Sequence, residues 1–309
     1  MRELEYQPEI DGLRAIAVMS VFLFHLDRRL MPGGFVGVDV FYVISGYLIT
    51  SLLYRDCLNH DFSFARFYQR RIARLFPALF TAALATLGLA SVVYLSQDLA
   101  SAGANLAAAS LSVANFKYML QGNYFAISPD AQPYLHYWSL SVEEQFYLVF
   151  PALLLLAYRH LRAQLLPLLL ALAITSLALS LWLTKVNHVW AFYLLPTRAW
   201  ELGVGGFLAV TMTPGGGHER PVPGWLLPLG LGVVLASFVV ITEGASFPGW
   251  WALPPVLGTA AVIAASPANH GLLKAGLSSA PATAIGRMSY SLYLWHWPVF
   301  SLIDYRFYQ

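Results

Sequence analysis

Three ionisable side chains sit within apolar runs near the start of the chain. Arg14 and His25 both belong to the run DGLRAIAVMSVFLFHL, about 16 Å apart along a helix at 1.5 Å per residue. Asp39 belongs to a second run, GGFVGVDVFYVISGYLIT, beyond a hinge at Asp27-Arg28-Arg29 and Pro32-Gly33-Gly34. Ionisable groups at membrane depth are costly, so they face a cavity or a partner and mark a functional path. With the hinge centred near residue 32, an antiparallel return brings Asp39 to about the depth of His25. The pattern therefore predicts a carboxylate–imidazole pair, with His25 as general base oriented by Asp39. A neutral histidine bridging two helices is the plainer alternative.

A second group carries cationic chemistry. The stretch 61–77 reads DFSFARFYQRRIARLFP, and Arg66, Arg70, Arg71 and Arg74 stand three or four residues apart, which gives a helix one basic face. Arginine recognises phosphate through its bidentate fork, so Arg70, Arg71 and Arg74, joined by Arg14 from the same side, fit a donor carrying several phosphates. An interfacial helix that only contacts anionic lipid headgroups explains the same composition. The spacing leaves both readings open.

The third group is PYLHYWSLSVEEQFY, residues 133–147, which brings His136, Trp138, Ser139, Ser141, Glu143, Glu144 and Gln145 to the start of a span. Ser139 and Glu143 share a face, and Glu144 points about 100° away, so the two carboxylates differ in role. So many polar groups at the entry of a span need internal satisfaction, and one of the two carboxylates can be structural. The alternative is a helix start at which Ser139 caps and the acids complement the dipole. Two later groups are less specific: TRAWE at 197–201, readable as an ion pair, and SYSLYLWHWP at 289–298, readable as an aromatic belt. Gly33, Gly34 and Gly37 fit the geometry of the hinge turn.

The elements that must carry these groups follow from composition. Of the 309 residues, 58% are hydrophobic and 11% charged, far from the roughly 25% charge of soluble domains. The expected fold is an all-α, polytopic membrane bundle with about nine to ten spans, in a single domain over 1–309. Spans are expected near 13–30, 35–54, 75–95, 139–158, 164–184, 198–212, 224–242, 249–265 and 288–304. The Ala- and Ser-rich segment 98–118 is a weak span or a re-entrant helix. Loop arginines and lysines favour a cytoplasmic N-terminus and a cytoplasmic 55–74 connection. The first run lacks a small-residue cleavage site and reads as an uncleaved span. One cysteine, Cys57, excludes an internal disulfide. No zinc spacing and no phosphate-binding glycine loop occurs, so no metal is expected. A net charge of +2 points to no nucleic-acid partner.

Six ordered blocks, EIDGLRAIAV with His25, GGFVGVDVFYVISGYLI, FYQRRIARLFP, LHYWSLSVEEQFYL, TRAWELGVGG and SYSLYLWHWPV, resemble the acyltransferase 3 family of multi-spanning membrane O-acyltransferases. The resemblance runs from about residue 8 to 304. It implies an acyl donor, usually acetyl-CoA, used on the cytoplasmic side of the inner membrane. The acceptor it implies is an external hydroxyl, as on a polysaccharide or lipopolysaccharide of the cell envelope. It also implies functional weight for Arg14, His25, Arg71 and Arg74. Many members continue into a further span and an extracytoplasmic domain, so a boundary truncated before them is an expectation here. Joined to the residue reading, the arginines hold acyl-coenzyme A while His25 acts as general base or transient acyl carrier. In the same reading Glu143 transfers a proton or binds the acceptor, and His136, Trp138, Ser139 and Glu144 line the acceptor entrance. The competing readings are a proton-coupled transporter with His25, Asp39 and Glu143 as relay, and a scaffold whose arginines bind membrane lipids.

Overall fold

The computed structural model describes residues 6–122, 124, 132–213, 222–244 and 246–307, and every extended element among them is helical. The first half comprises α1 (Pro8–Leu26), α2 (Gly37–Leu58), α3 (Phe64–Val93), α4 (Ser96–Ser110), α5 (Ala114–Gln121) and α6 (Tyr137–His160). The second comprises α7 (Leu165–Val186), α8 (His188–Tyr193), α9 (Leu195–Met212), α10 (Leu226–Val240), α11 (Leu253–Ala265), α12 (Leu272–Leu277) and α13 (Ala280–Phe307).

Four helical stretches, Gly34–Leu58, Phe64–Val93, Tyr137–His160 and Arg162–Val186, are long and apolar enough to cross a membrane. Against the nine to ten spans expected, only these four helices among the described residues have the length and apolar character of a span, and the other helices differ in character. α1 and α13 have 19 and 28 residues but carry more polar groups, and α10 and α11 are shorter and apolar. α7 leaves Leu170, Leu172, Ile174 and Trp182 exposed, an outward face that suits lipid and is a liability in water. Buried hydroxyls on these helices bond back to the preceding turn, as Thr86 does to the Ala82 carbonyl and Thr259 to the Pro255 carbonyl, each at 2.7 Å. Such local pairing satisfies polar groups where no water is available.

Two expectations about the elements change. The arginine stretch is not a separate interfacial helix, because α3 runs without a break from Phe64 through Pro77 to Val93, capped at its start by Ser63. Segment 98–118 divides into α4 and α5, with Ser112 at φ 56° between them. At 15 residues α4 reaches only about 22 Å, short of a ~30 Å hydrocarbon core. The break is held from α6: Gln145 Nε2 donates to the Ser112 carbonyl and to Asn115 Oδ1, both at 2.8 Å.

Two close helix crossings set the interior. α1 lies on α13, where a Cβ on Gly286 would stand 1.8 Å from the Asp11 carbonyl oxygen. α2 lies on α9, where a Cβ on Gly46 would stand 1.9 Å from the Leu202 carbonyl oxygen. Backbones that meet this closely need residues without side chains. The hinge glycines serve the same end: Gly33 and Gly37 have negative φ, and a Cβ on Gly34 would stand 2.1 Å from the Ser20 carbonyl oxygen. Close approach, of α1 to Gly34 and Gly37 and of the end of α10 to Gly33, and not a left-handed turn, is what requires them.

Candidate active site

The α1–α13 crossing brings His25 against a residue that its own hairpin does not supply. His25 Nδ1 lies 3.2 Å from His296 Nε2, and His25 Nε2 lies 3.2 Å from the Tyr124 hydroxyl. His296 Nδ1 lies 2.7 Å from the Tyr293 carbonyl, which only accepts, so that nitrogen carries the proton. With both rings neutral, His296 Nε2 accepts from His25 Nδ1–H, and the free lone pair of His25 is on Nε2. These tautomers follow from the partners. Nε2 thus faces a hydroxyl in the geometry of a general base. Trp297 packs on the His25 ring at a centroid distance of 4.7 Å and fixes its plane.

Asp39 does not orient His25. The α2–α9 crossing pairs it instead with Arg198, whose Nη2 donates to Asp39 Oδ1 at 3.0 Å. Arg198 Nε faces Glu201 Oε1 at 3.2 Å, an ion-pair contact without hydrogen-bond alignment. Depth along a hairpin was readable from the sequence, but the direction in which Asp39 points was not. Asp39, His25 and Arg198 nevertheless line one small inner chamber with Tyr124, Trp138 and Phe192.

A second, larger cavity opens beside this chamber. Arg14, Arg71 and Arg74 line it together with Ser45, Ser139, Glu143, Glu144 and Tyr147. Val38 and Tyr293 belong to the walls of both spaces. α1, α2, α6 and α13 each contribute to both, so the two spaces adjoin along the bundle. Arg14 is tethered by Asp11 at 3.4 Å, and Arg71 stacks on the Tyr147 ring at 4.6 Å with its Nε buried and unpartnered among the described residues. Glu143 accepts a short hydrogen bond from the Ser45 hydroxyl.

Other predicted residues take different positions. Arg70 is exposed and outside the cavity. Arg66 is engaged by Asp61 at 2.6 Å, and the guanidinium holds the Asp61 carboxyl below its usual range. Ser139 is not the cap of α6, which starts two residues earlier; its hydroxyl meets the Tyr293 hydroxyl at 2.7 Å. His136 is fully buried behind His296, with Nε2 3.2 Å from the Leu294 carbonyl, and lines neither space. Trp138 lines the inner chamber. Residue-by-residue reasoning gave no site role to His296, Arg198 or Tyr124. The three-residue spacing of Tyr293 and His296 on one helix face was the available signal for the first.

Comparison with known proteins identifies the family. The model of the acyltransferase domain family matches residues 7–309. The chain is 33% identical over 317 residues to "Putative O-acetyltransferase SAS0844" of Staphylococcus aureus strain MSSA476, covering 98% of this chain and 52% of that protein. It is 30% identical over 316 residues to O-acetyltransferase OatA of Staphylococcus aureus strain NCTC 8325, covering 97% of this chain and 51% of that protein. The chain thus spans about half the length of these relatives. No solved structure matches it. By its motifs, its helical architecture and a family match over nearly its whole length, the chain belongs to the acyltransferase 3 family.

Proposed function

We propose that the chain is a membrane O-acyltransferase that moves an acetyl group from cytoplasmic acetyl-CoA to a hydroxyl of an extracytoplasmic glycan. One observation carries this reading. The arginine-lined cavity and the His25 chamber share Val38 and Tyr293, so a long donor with a phosphate-bearing head can enter at the arginines and end at the base.

Arg14, Arg71 and Arg74 hold the phosphates by charge-assisted hydrogen bonds. The ~16 Å between Arg14 and His25 suits a donor whose charged head is far from its reactive end. Coenzyme A supplies the acyl group as a thioester. His25 Nε2 takes the proton of the acceptor hydroxyl, which occupies the place the Tyr124 hydroxyl holds here. The hydroxyl oxygen bonds to the acyl carbon, the C–S bond breaks, and the departing thiolate takes the proton from His25. His296 keeps the His25 proton on Nδ1, leaving Nε2 free to act. Glu143 and Glu144 line the same cavity as the arginines, on the donor side of His25, and so face the donor and not the external acceptor.

The test is transfer of radiolabel from [14C]acetyl-CoA to a cell-envelope glycan fraction by the reconstituted chain. Labelled glycan from the native chain and none from His25→Ala is the expected outcome. Unchanged transfer by His25→Ala contradicts the mechanism, and uptake of substrate without a covalent product points to a transporter.

A further inference from the structure

The inner chamber combines a buried guanidinium whose donors are not all satisfied with a tight aromatic wall. Arg198 is 1% exposed, and its Nη2 and Nε face Asp39 and Glu201. Nη1 has no hydrogen-bond partner among the described residues. The guanidinium lies between the rings of Phe192 and Phe247, 5.9 and 5.6 Å from their centroids. A buried guanidinium N–H without an acceptor is costly, and such a group is a candidate for a ligand contact. Phe35 packs on Phe247 at 4.9 Å, and with Phe192 these rings close the chamber around His25 and Arg198. The free space is that of about one water-sized group.

We infer that this chamber is the acyl subsite: Arg198 Nη1 donates to the acyl carbonyl oxygen, while Phe35, Phe192 and Phe247 enclose its alkyl end and restrict the donor to acetyl. The inference rests on the transferase reading above. As the acceptor oxygen bonds to the acyl carbon and its proton passes to His25 Nε2, the C=O π pair moves onto the oxygen that faces Arg198. When that pair returns, the C–S bond breaks and the thiolate takes the proton back from His25. Donors fixed before charge develops in a dry site are worth far more than donors in water. Asp39 and Glu201 fix the fork so that Nη1 is left for the acyl oxygen. A packed aromatic wall rejects added methylenes, each worth roughly tenfold or more in such a pocket.

The test is displacement of radiolabelled coenzyme A from the full chain in nanodiscs by acetyl-, propionyl- and butyryl-CoA. The native chain should bind acetyl-CoA at least about tenfold more tightly than butyryl-CoA. Phe247→Ala should narrow that ratio to within about threefold without changing affinity for coenzyme A itself. Phe247→Leu gives an intermediate ratio and decides the matter should the alanine variant not fold. Arg198→Gln should remove the advantage of acetyl-CoA over coenzyme A. A native chain that binds coenzyme A through Arg71 and Arg74 but does not discriminate chain length overturns the acyl subsite alone. An unchanged chain-length profile in folded Phe247 variants overturns it as well. A native chain with no affinity for coenzyme A overturns the donor reading and this inference together.

Discussion

The two spaces along the bundle share walls from α1, α2, α6 and α13, but Arg71 and Arg74 of α3 line only the larger and Arg198 of α9 only the smaller, and the two treat charge differently. In the larger cavity Arg71 and Arg74 stand beside one another on α3 with no carboxylate partner in hydrogen-bond range among the described residues, and Arg71 keeps a buried Nε unpaired. In the inner chamber Arg198 is held by two carboxyls, Asp39 and Glu201. The difference separates roles. Arg71 and Arg74, without a carboxylate in hydrogen-bond range, are placed to meet an anionic ligand, whereas Arg198, held by two carboxyls, is placed to hold a geometry. His25 stands on the clamped side and depends on neighbours that fix its tautomer.

The largest expected effect breaks the inner region alone. His25→Ala should lower transfer by about 10³-fold, the scale of losing a positioned general base, with acetyl-CoA affinity kept within about twofold of native on the same scale. Next, Asp39→Ala should reduce stability by about 3–5 kcal/mol, because it leaves Arg198 short of a partner in a dry interior. Its measure is the thermal midpoint of the reconstituted protein. A variant as stable as the native chain would show that Glu201 alone suffices.

His296→Phe keeps a ring against His25 but removes the acceptor for Nδ1–H. Transfer should fall about a hundredfold, less than with loss of the base itself. His296→Gln, which retains an acceptor, should recover part of it, and a purely packing role predicts the opposite order. On the outer side, Arg71→Ala and Arg74→Ala should each raise the Kd for acetyl-CoA about tenfold, the worth of a charge-assisted hydrogen bond. The smallest effect belongs to Arg70→Ala, expected within about twofold of native because the side chain is exposed and outside the cavity. Equal losses at Arg70 and Arg71 would mean that the whole face reads lipid headgroups.

The sequence made the outer region more legible than the inner one. Arginines three and four residues apart on one helix declare a shared face, and the interval between Arg14 and His25 converts directly to a length. Both properties are local. The partner of His25 is 271 residues away in the chain, brought in where the missing side chain of Gly286 lets α13 rest on the α1 backbone. Hairpin symmetry fixed the depth of Asp39 but not its azimuth, so the ion pair with Arg198 was out of reach. TRAWE was readable as an internal Arg198–Glu201 pair, which it is, but nothing local shows that α2 supplies its third member. Likewise the Ala-rich 98–118 stretch looked ambiguous because its break is imposed by Gln145 from another helix.

The central claim is that donor binding and acyl transfer occur at opposite ends of one continuous path. Titrating acetyl-CoA into the native chain, His25→Ala and Arg71→Ala in nanodiscs, with transfer measured on the same samples, tests it most directly. The account predicts native affinity with transfer abolished for His25→Ala, and affinity weakened about tenfold for Arg71→Ala. Equal loss of binding in both variants, or native binding and transfer in either, would contradict it.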